Sequence, residues 1–237
     1  DDTQYSQTGT LGFGTIDREI TDQTVVFRYE NPASDNPYLD LNVNLSFSDI
    51  FEHQEDATST IPSVLFDETD YAYRTWQGSI DNTFEYSFAN TDGFLTVGTQ
   101  ISYQERIADA ESGAIDFHPE GTDTKFGFFA QNEFVWNDRL TVVPGVRVDL
   151  INLSPDSSIP DASKQFEIAF SPKLAALYKI NEYLSVFGSV AHTERAPTLD
   201  ELFSTGANRP YPGGRFASLD LEKEQSNAVE AGFSVSL

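Results

Sequence analysis

Cysteine is absent from the 237 residues, so no disulfide staples the loops and no thiolate site for zinc or an iron–sulfur cluster exists, which leaves the compartment open. No stretch comes near the roughly 18 uninterrupted apolar residues that a membrane-spanning helix requires. A hydrophobic fraction of 39% is likewise too low for a bundle of such helices. Cations are scarce: 14 Lys and Arg stand against 38 Asp and Glu, a net charge of -24. Such a surface repels phosphate, which excludes a nucleic-acid partner. The opening residues, DDTQYSQTGT, have neither a basic start nor an apolar core, so any export signal is expected to have been removed or to lie upstream.

Aromatic rings and alternation are plentiful. The 19 Phe and 10 Tyr are material for the girdles that flank the lipid-facing band of a membrane β-barrel, although a β-sandwich also uses them. The organising stretch is 125–149, KFGFFAQNEFVWNDRLTVVPGVRVD. Phe126, Phe128, Ala130, Phe134 and Trp136 share one parity, and Lys125, Gln131 and Glu133 the other. After a two-residue link, Asn137-Asp138, Leu140, Val142, Val146 and Val148 alternate with Arg139, Thr141, Arg147 and Asp149. Successive strand side chains point to opposite faces, so each strand has an oily and a wet side, and the short link forces an antiparallel pair. Each run continues for about 10 residues or more, longer than a typical globular strand and enough to cross a bilayer at a tilt.

The same pattern recurs along the chain. A weak strand is expected around 5–13, then Val25, Phe27 and Tyr29; Leu39 to Phe47; Trp76 to Phe88; Leu95 to Tyr103; the 125–149 hairpin; Phe166 to Tyr178; Leu184 to Val190; and Val229 to Val235. Polar segments at 49–70, 107–122, 152–164 and 193–223 alternate with short turns. Short turns at one end and long loops at the other are the rule for outer-membrane barrels and have no reason in a soluble, sugar-binding β-sandwich, the competing fold. Pro144 and Pro172 remove ladder donors, and bulges or kinks are expected there. Nine regular strands do not make a whole bacterial barrel, which has an even number, and an open edge in lipid is costly. The fold class is therefore all-β, an antiparallel transmembrane barrel present as about nine strands of a larger one.

Residues 170–232 resemble the barrel of TonB-dependent outer-membrane receptors. The run FSPKLAALYKINEYLSVFGSVAHTERAPTLDELF looks like that family's proline-containing strand, turn, aromatic strand and Arg-Ala-Pro-Thr box. Here the box is Arg195, Ala196, Pro197 and Thr198, followed by Glu201, Leu202 and Phe203. Further on, SLDLEKEQS is similar to the Asn-Pro-Asp-Leu-x-x-Glu-x-Ser box through Asp220, Leu221, Glu224 and Ser226, with Ser218 and Leu219 replacing Asn-Pro. The 125–149 hairpin also resembles this family, particularly its haem and hemoprotein receptors. The resemblance implies a 22-stranded barrel with an N-terminal plug, taking up a scarce metal chelate, haem or a ferric siderophore, across the outer membrane of a Gram-negative bacterium. Its partners would be lipid, the extracellular ligand, and the TonB complex acting through a plug that 1–237 does not contain. A passive porin or surface-binding barrel is the alternative.

Haem iron is often held by His or Tyr, and haem receptors of this family typically place a His between the two boxes. Between Thr198 and Asp220 there is none. The candidate ligand contacts are His192, just before the first box, and Asn208, Arg209 and Tyr211 between the boxes, weighed against a plainer reading of His192 as a strand-end residue and Tyr211 as a loop aromatic. Arg195, Ala196, Pro197, Asp220, Leu221 and Glu224 are read as structural. His53 and His118 fall in separate long loops and are expected to ligate only if folding unites them. The carboxylates of 49–70 suit Ca²⁺, but no EF-hand spacing occurs. His192 with Ser189 or Ser204 is the nearest approach to a hydrolytic set; without a nucleophile motif the chain is read as no enzyme.

Overall fold

The computed structural model describes residues 2–6, 15–32, 35–55, 68–110, 118–159, 161–204 and 218–236. Among these residues ten antiparallel strands and one short helix follow one another: β1 Asp2–Ser6, β2 Thr15–Asn31, β3 Leu41–Glu55, β4 Thr69–Phe88, β5 Thr91–Ala110, β6 Gly121–Trp136, β7 Leu140–Pro155, β8 Gln165–Lys179, β9 Leu184–Arg195, α1 Leu199–Phe203 and β10 Glu224–Val235. They form a single sheet in chain order, β1 to β10. Each hairpin pairs with its successor, so the wall is a meander. All nine regular strands are present, and the weakly patterned start contributes the tenth; the rest of the expected 5–13 strand lies outside the described residues.

Register shows what the alternation achieves. Phe27 pairs with Leu45, Leu45 with Gly78, Gly78 with Ile101, Ile101 with Phe126, Phe126 with Leu150, and Leu150 with Ile168. Seven strands thus contribute one apolar row to one face. Phe126 and Phe128 are 44% and 46% exposed there, and Phe166, Leu174, Val186 and Val229 are exposed on the same face. Among the described residues no second layer covers them, because every described strand belongs to this sheet. A sandwich would bury them, so that reading falls. Trp76, Tyr103 and Phe166 lie toward the long-loop end of this belt and Phe88, Trp136 and Tyr178 toward the short-turn end, the arrangement of two aromatic girdles. Among the described residues no helix is long and apolar enough to cross a membrane, which says nothing about strands.

The opposite face is polar. Arg28 donates to Asn44 at 3.0 Å, Asn42 to Asp81 at 3.1 Å, and Arg147 lies in a fork on Asp149 at 2.6–3.0 Å. Gly127 makes room for this pair, since a Cβ there would stand 2.4 Å from Arg147 Nη2. We call this the lumen face.

The strands run further than the hydrophobic pattern. Asp49 and Glu52 sit on β3, so the expected 49–70 loop shrinks to 56–68, and β9 likewise extends to Arg195. Beyond the belt β3 and β9 lose their apolar alternation, but the main-chain ladder continues. The turn after β6 spans three residues rather than two, with Trp136 paired to Leu140 and Asn137 and Asp138 at φ 49° and 54°, a left-handed region these side chains tolerate. Neither proline carries a bulge. Pro144 leaves a gap in the β6–β7 ladder opposite 132–133, and the β8–β9 ladder stops at Lys173 with Ala191, one residue from Pro172. The register is unshifted on both sides of the gap. A lost donor is absorbed by omitting a bond, not by inserting a residue.

Candidate functional site

The site is built where β9 leaves the wall. Pro197 cannot extend the ladder, and Thr198 becomes the N-cap of α1. Glu201 N–H donates to Thr198 Oγ1 at 3.3 Å while Thr198 N–H donates to Glu201 Oε2 at 2.9 Å, a reciprocal capping box. Leu199, Leu202 and Phe203 share one face at helical spacing and are each at most 2% exposed. They pack with Ala196 on Ile151 and Leu153 of β7 and Ala169 of β8. These wall residues have the lumen parity of Asp149, so α1 lies inside the rim. Full burial of such a side chain stabilises by about 1.5–3 kcal/mol, which outweighs the weak intrinsic helicity of so short a segment.

Charges tie α1 down at two points. Arg195 donates to both oxygens of Glu201 at 2.9 and 3.0 Å, and to Glu224 Oε2 from Nε at 2.9 Å and Nη2 at 2.8 Å. The guanidinium, and next the Thr198 N–H, hold the Glu201 carboxyl down to about 2. On the other side Arg106 of β5, 5% exposed, donates to both oxygens of Asp200 at 2.7 Å and to Tyr73 Oη of β4 at 3.0 Å. His118 Nδ1 lies 3.2 Å from the same phenol oxygen. Its ring meets Tyr71 and Tyr73 edge-on, at 5.0 Å in each case. Burial first, and the Arg106 cation second, push His118 down to about 4, so it is neutral at pH 7. Among the described residues the buried Arg106 Nε and His118 Nε2 atoms have no hydrogen-bond partner.

The box residues divide. Arg195 brings the first box and Glu224 together, and Ala196 and Pro197 are buried beneath α1, while Asp220 and Leu221 are exposed in the turn that returns to β10. Ser218 N–H donates to Leu202 O at 2.8 Å, closing the loop where it leaves and returns. Asn208, Arg209 and Tyr211 lie outside the described residues. His192 has the parity of Val186 and Val190 on the belt side, with Nδ1 2.9 Å from Asn227 Oδ1 and Nε2 3.6 Å from Glu194. Ser189 has the opposite parity to His192, and Ser204 closes α1, its N–H donating to Asp200 O. Folding does not unite His53 and His118. His53 Nδ1 is 2.6 Å from Asp70 and His118 packs on Tyr71, neighbours that point to opposite faces of β4. Among the described residues no group of three or more His, Cys, Asp or Glu is placed to hold a metal ion. The sequence reading missed Arg106, Tyr73 and Asp200; the one local signal was the Thr198–Glu201 spacing of a capping box.

An antiparallel meander with an exposed apolar belt on one face, a polar opposite face and a short helix docked inside its rim has the build of a β-barrel wall. The chain belongs to the family described as TonB dependent receptor-like, beta-barrel, whose model matches residues 1–236. It is 26% identical over 243 residues to the TonB-dependent heme receptor A of Haemophilus ducreyi and 25% identical over 246 residues to that of Haemophilus influenzae. These alignments cover 92% and 93% of this chain and 33% of each relative, so the chain spans about a third of the length of the curated relatives it matches. Among solved structures it is similar to the Serratia marcescens hemophore receptor HasR, in a complex of a double mutant with the hemophore HasA and heme. The TM-score is 0.75 at 20% identity, over 93% of this chain and 37% of that one. The copper transporter OprC gives 0.64 at 15% identity, over 95% and 37%. Both likenesses speak to the fold. The family is one of transport receptors, not enzymes.

Proposed function

We propose that this chain forms part of the barrel of an outer-membrane receptor that imports haem, with energy delivered by TonB through a plug domain elsewhere in the protein. The observation that carries this reading is the composition of the segment between the boxes, opposite in character to the rest of the chain, next to flanking residues that lie at the lumen rim. Against a net charge of -24, residues 205–217, TGANRPYPGGRFA, hold no Asp or Glu but do hold Arg209, Arg215, Tyr211 and Phe216. Guanidinium groups pair with carboxylates and aromatic rings stack on flat ligands. A planar dianion such as haem, with two propionates and an extended ring, fits both. Asn208, Arg209 and Tyr211 are therefore the ligand contacts in this reading, and His192, on the belt side beside Asn227, belongs to the base of the loop. The relatives named as heme receptors support the same ligand.

A strain lacking the gene, with hemin or a ferric siderophore as sole iron source, tests the reading. Restoring the full-length gene is expected to rescue growth on hemin, with rescue lost when TonB is also absent. Rescue only on the siderophore would replace haem by another chelate, and rescue independent of TonB would make the barrel a passive pore.

A further inference from the structure

On the lumen face three successive strands repeat one device. Phe129 of β6 lies across Gly98 of β5, Arg147 of β7 across Gly127 of β6, and Lys173 of β8 across Gly145 of β7. A Cβ on Gly98 would stand 2.5 Å from Phe129 Cζ, and one on Gly145 would stand 2.7 Å from Lys173 Cε. Each glycine is thus the bed of a neighbour's side chain, which lies along the wall instead of standing out from it. Phe129 and Arg147 are register partners, and Lys173 faces Gly145, one lumen step nearer the short turns. All three stand at the middle of their strands, so the strip lies halfway down the wall, below the rim where α1 docks.

The charges of this strip do not close on themselves. Three other cations of the lumen face are paired: Lys125 with Asp123 at 2.8 Å, Arg147 with Asp149 at 2.6 Å and Arg106 with Asp200 at 2.7 Å. Lys173 is exposed and, among the described residues, has no ion pair or hydrogen bond. Its register partners, Gly145 and Ala191, are too small to cover it. The carboxylates beside the strip are engaged, Asp149 by Arg147 and Asp81, beyond Phe129, by Asn42. We propose that Phe129, Arg147 and Lys173 form a subsite on the barrel wall for a flat, apolar ligand that carries a carboxylate. This rests on the reading of the chain as part of an importer of a planar anion. Lys173 donates to the carboxylate in a charge-assisted bond. The Phe129 ring, and the guanidinium that Asp149 has neutralised, take the flat body. From Gly98 to Gly145 is two strand spacings, about 10 Å, so a ligand that reaches both ends must be extended and acidic at one side.

Protoporphyrin IX, a flat dicarboxylic acid without iron, and its dimethyl ester are the probes, titrated by fluorescence into the full-length receptor in detergent, with folding verified by heat-modifiable electrophoretic migration. The wild type is expected to bind the acid more tightly than the ester. Lys173→Gln should shrink that preference about fivefold or more and leave the ester's affinity unchanged, because the lost bond is to the carboxylate alone. Lys173→Arg should keep the preference, and Phe129→Ala should weaken acid and ester alike. No preference in the wild type, the same preference in Lys173→Gln, or acid and ester weakened together by Lys173→Gln overturns the proposal. Growth on hemin reads import separately. Growth with a preference independent of Lys173 removes the subsite and keeps haem; a Lys173-dependent preference in a receptor that supports no growth on hemin keeps the subsite and removes haem.

Discussion

At the scale of single residues, His118 is the group whose charge the fold constrains most. It lies between two tyrosine rings and close to Arg106, and both the burial and the cation favour the neutral imidazole. The sign follows from linkage. With a folded value of about 4 against an ordinary 6.5, the open form binds more protons in that interval, so the stabilisation is complete above about 6.5 and is lost as pH falls through 4. Melting curves of the full-length receptor should therefore show the wild type losing stability relative to His118→Asn between pH 6.5 and 4. Parallel curves would show that the ring takes up its proton freely. Arg195 could be singled out from the sequence because it stands in a box. The Arg106–Asp200 pair could not, since its members are 94 positions apart and nothing local marks either one.

Among the elements, α1 shows the limit of periodicity as a guide. Five residues are too few to display a 3.6-residue period, and the segment sits in what reads as loop. Yet Thr198-Leu199-Asp200-Glu201 is a capping-box sequence, and Leu202-Phe203 completes an apolar face. Removing the centre of that face, Leu202→Ala, is expected to cost about 2–5 kcal/mol in urea unfolding of the receptor in detergent micelles. A loss below about 0.5 kcal/mol would mean that α1 is not docked on Ile151, Leu153 and Ala169. The strands were legible wherever one face is apolar and blurred beyond it, as at 49–55, where β3 goes on with no apolar parity to announce it.

For the molecule as a whole, the decisive property is that the two faces of one sheet differ in polarity, one an exposed apolar belt and the other lined with hydrogen-bonded polar groups. Phe128→Arg, in the belt, should destabilise the receptor folded in bilayers by about 2–4 kcal/mol if it lies near the midplane. Gln77→Lys, on the lumen face, should stay within about 0.5 kcal/mol. Equal effects in denaturant titrations on vesicles would contradict the assignment of faces. This dichotomy was legible because the strand period of two writes it directly into the order of residues. The number of strands was less so, since β1 is short and only weakly patterned.

The joint above Lys173 has a consequence of its own. There the wall between β8 and β9 is carried by side groups: Glu194 accepts the Phe170 N–H at 2.9 Å, Lys223 donates to Ile168 O at 2.6 Å and to Glu194 at 2.7 Å, and Glu194 N–H donates to Ser171 Oγ at 3.3 Å. A main-chain ladder yields cooperatively and is indifferent to salt, whereas these links yield one at a time and soften as ionic strength rises. The upper ends of β9 and β10, with the box loop they carry, are laced to the neighbouring stave rather than welded to it.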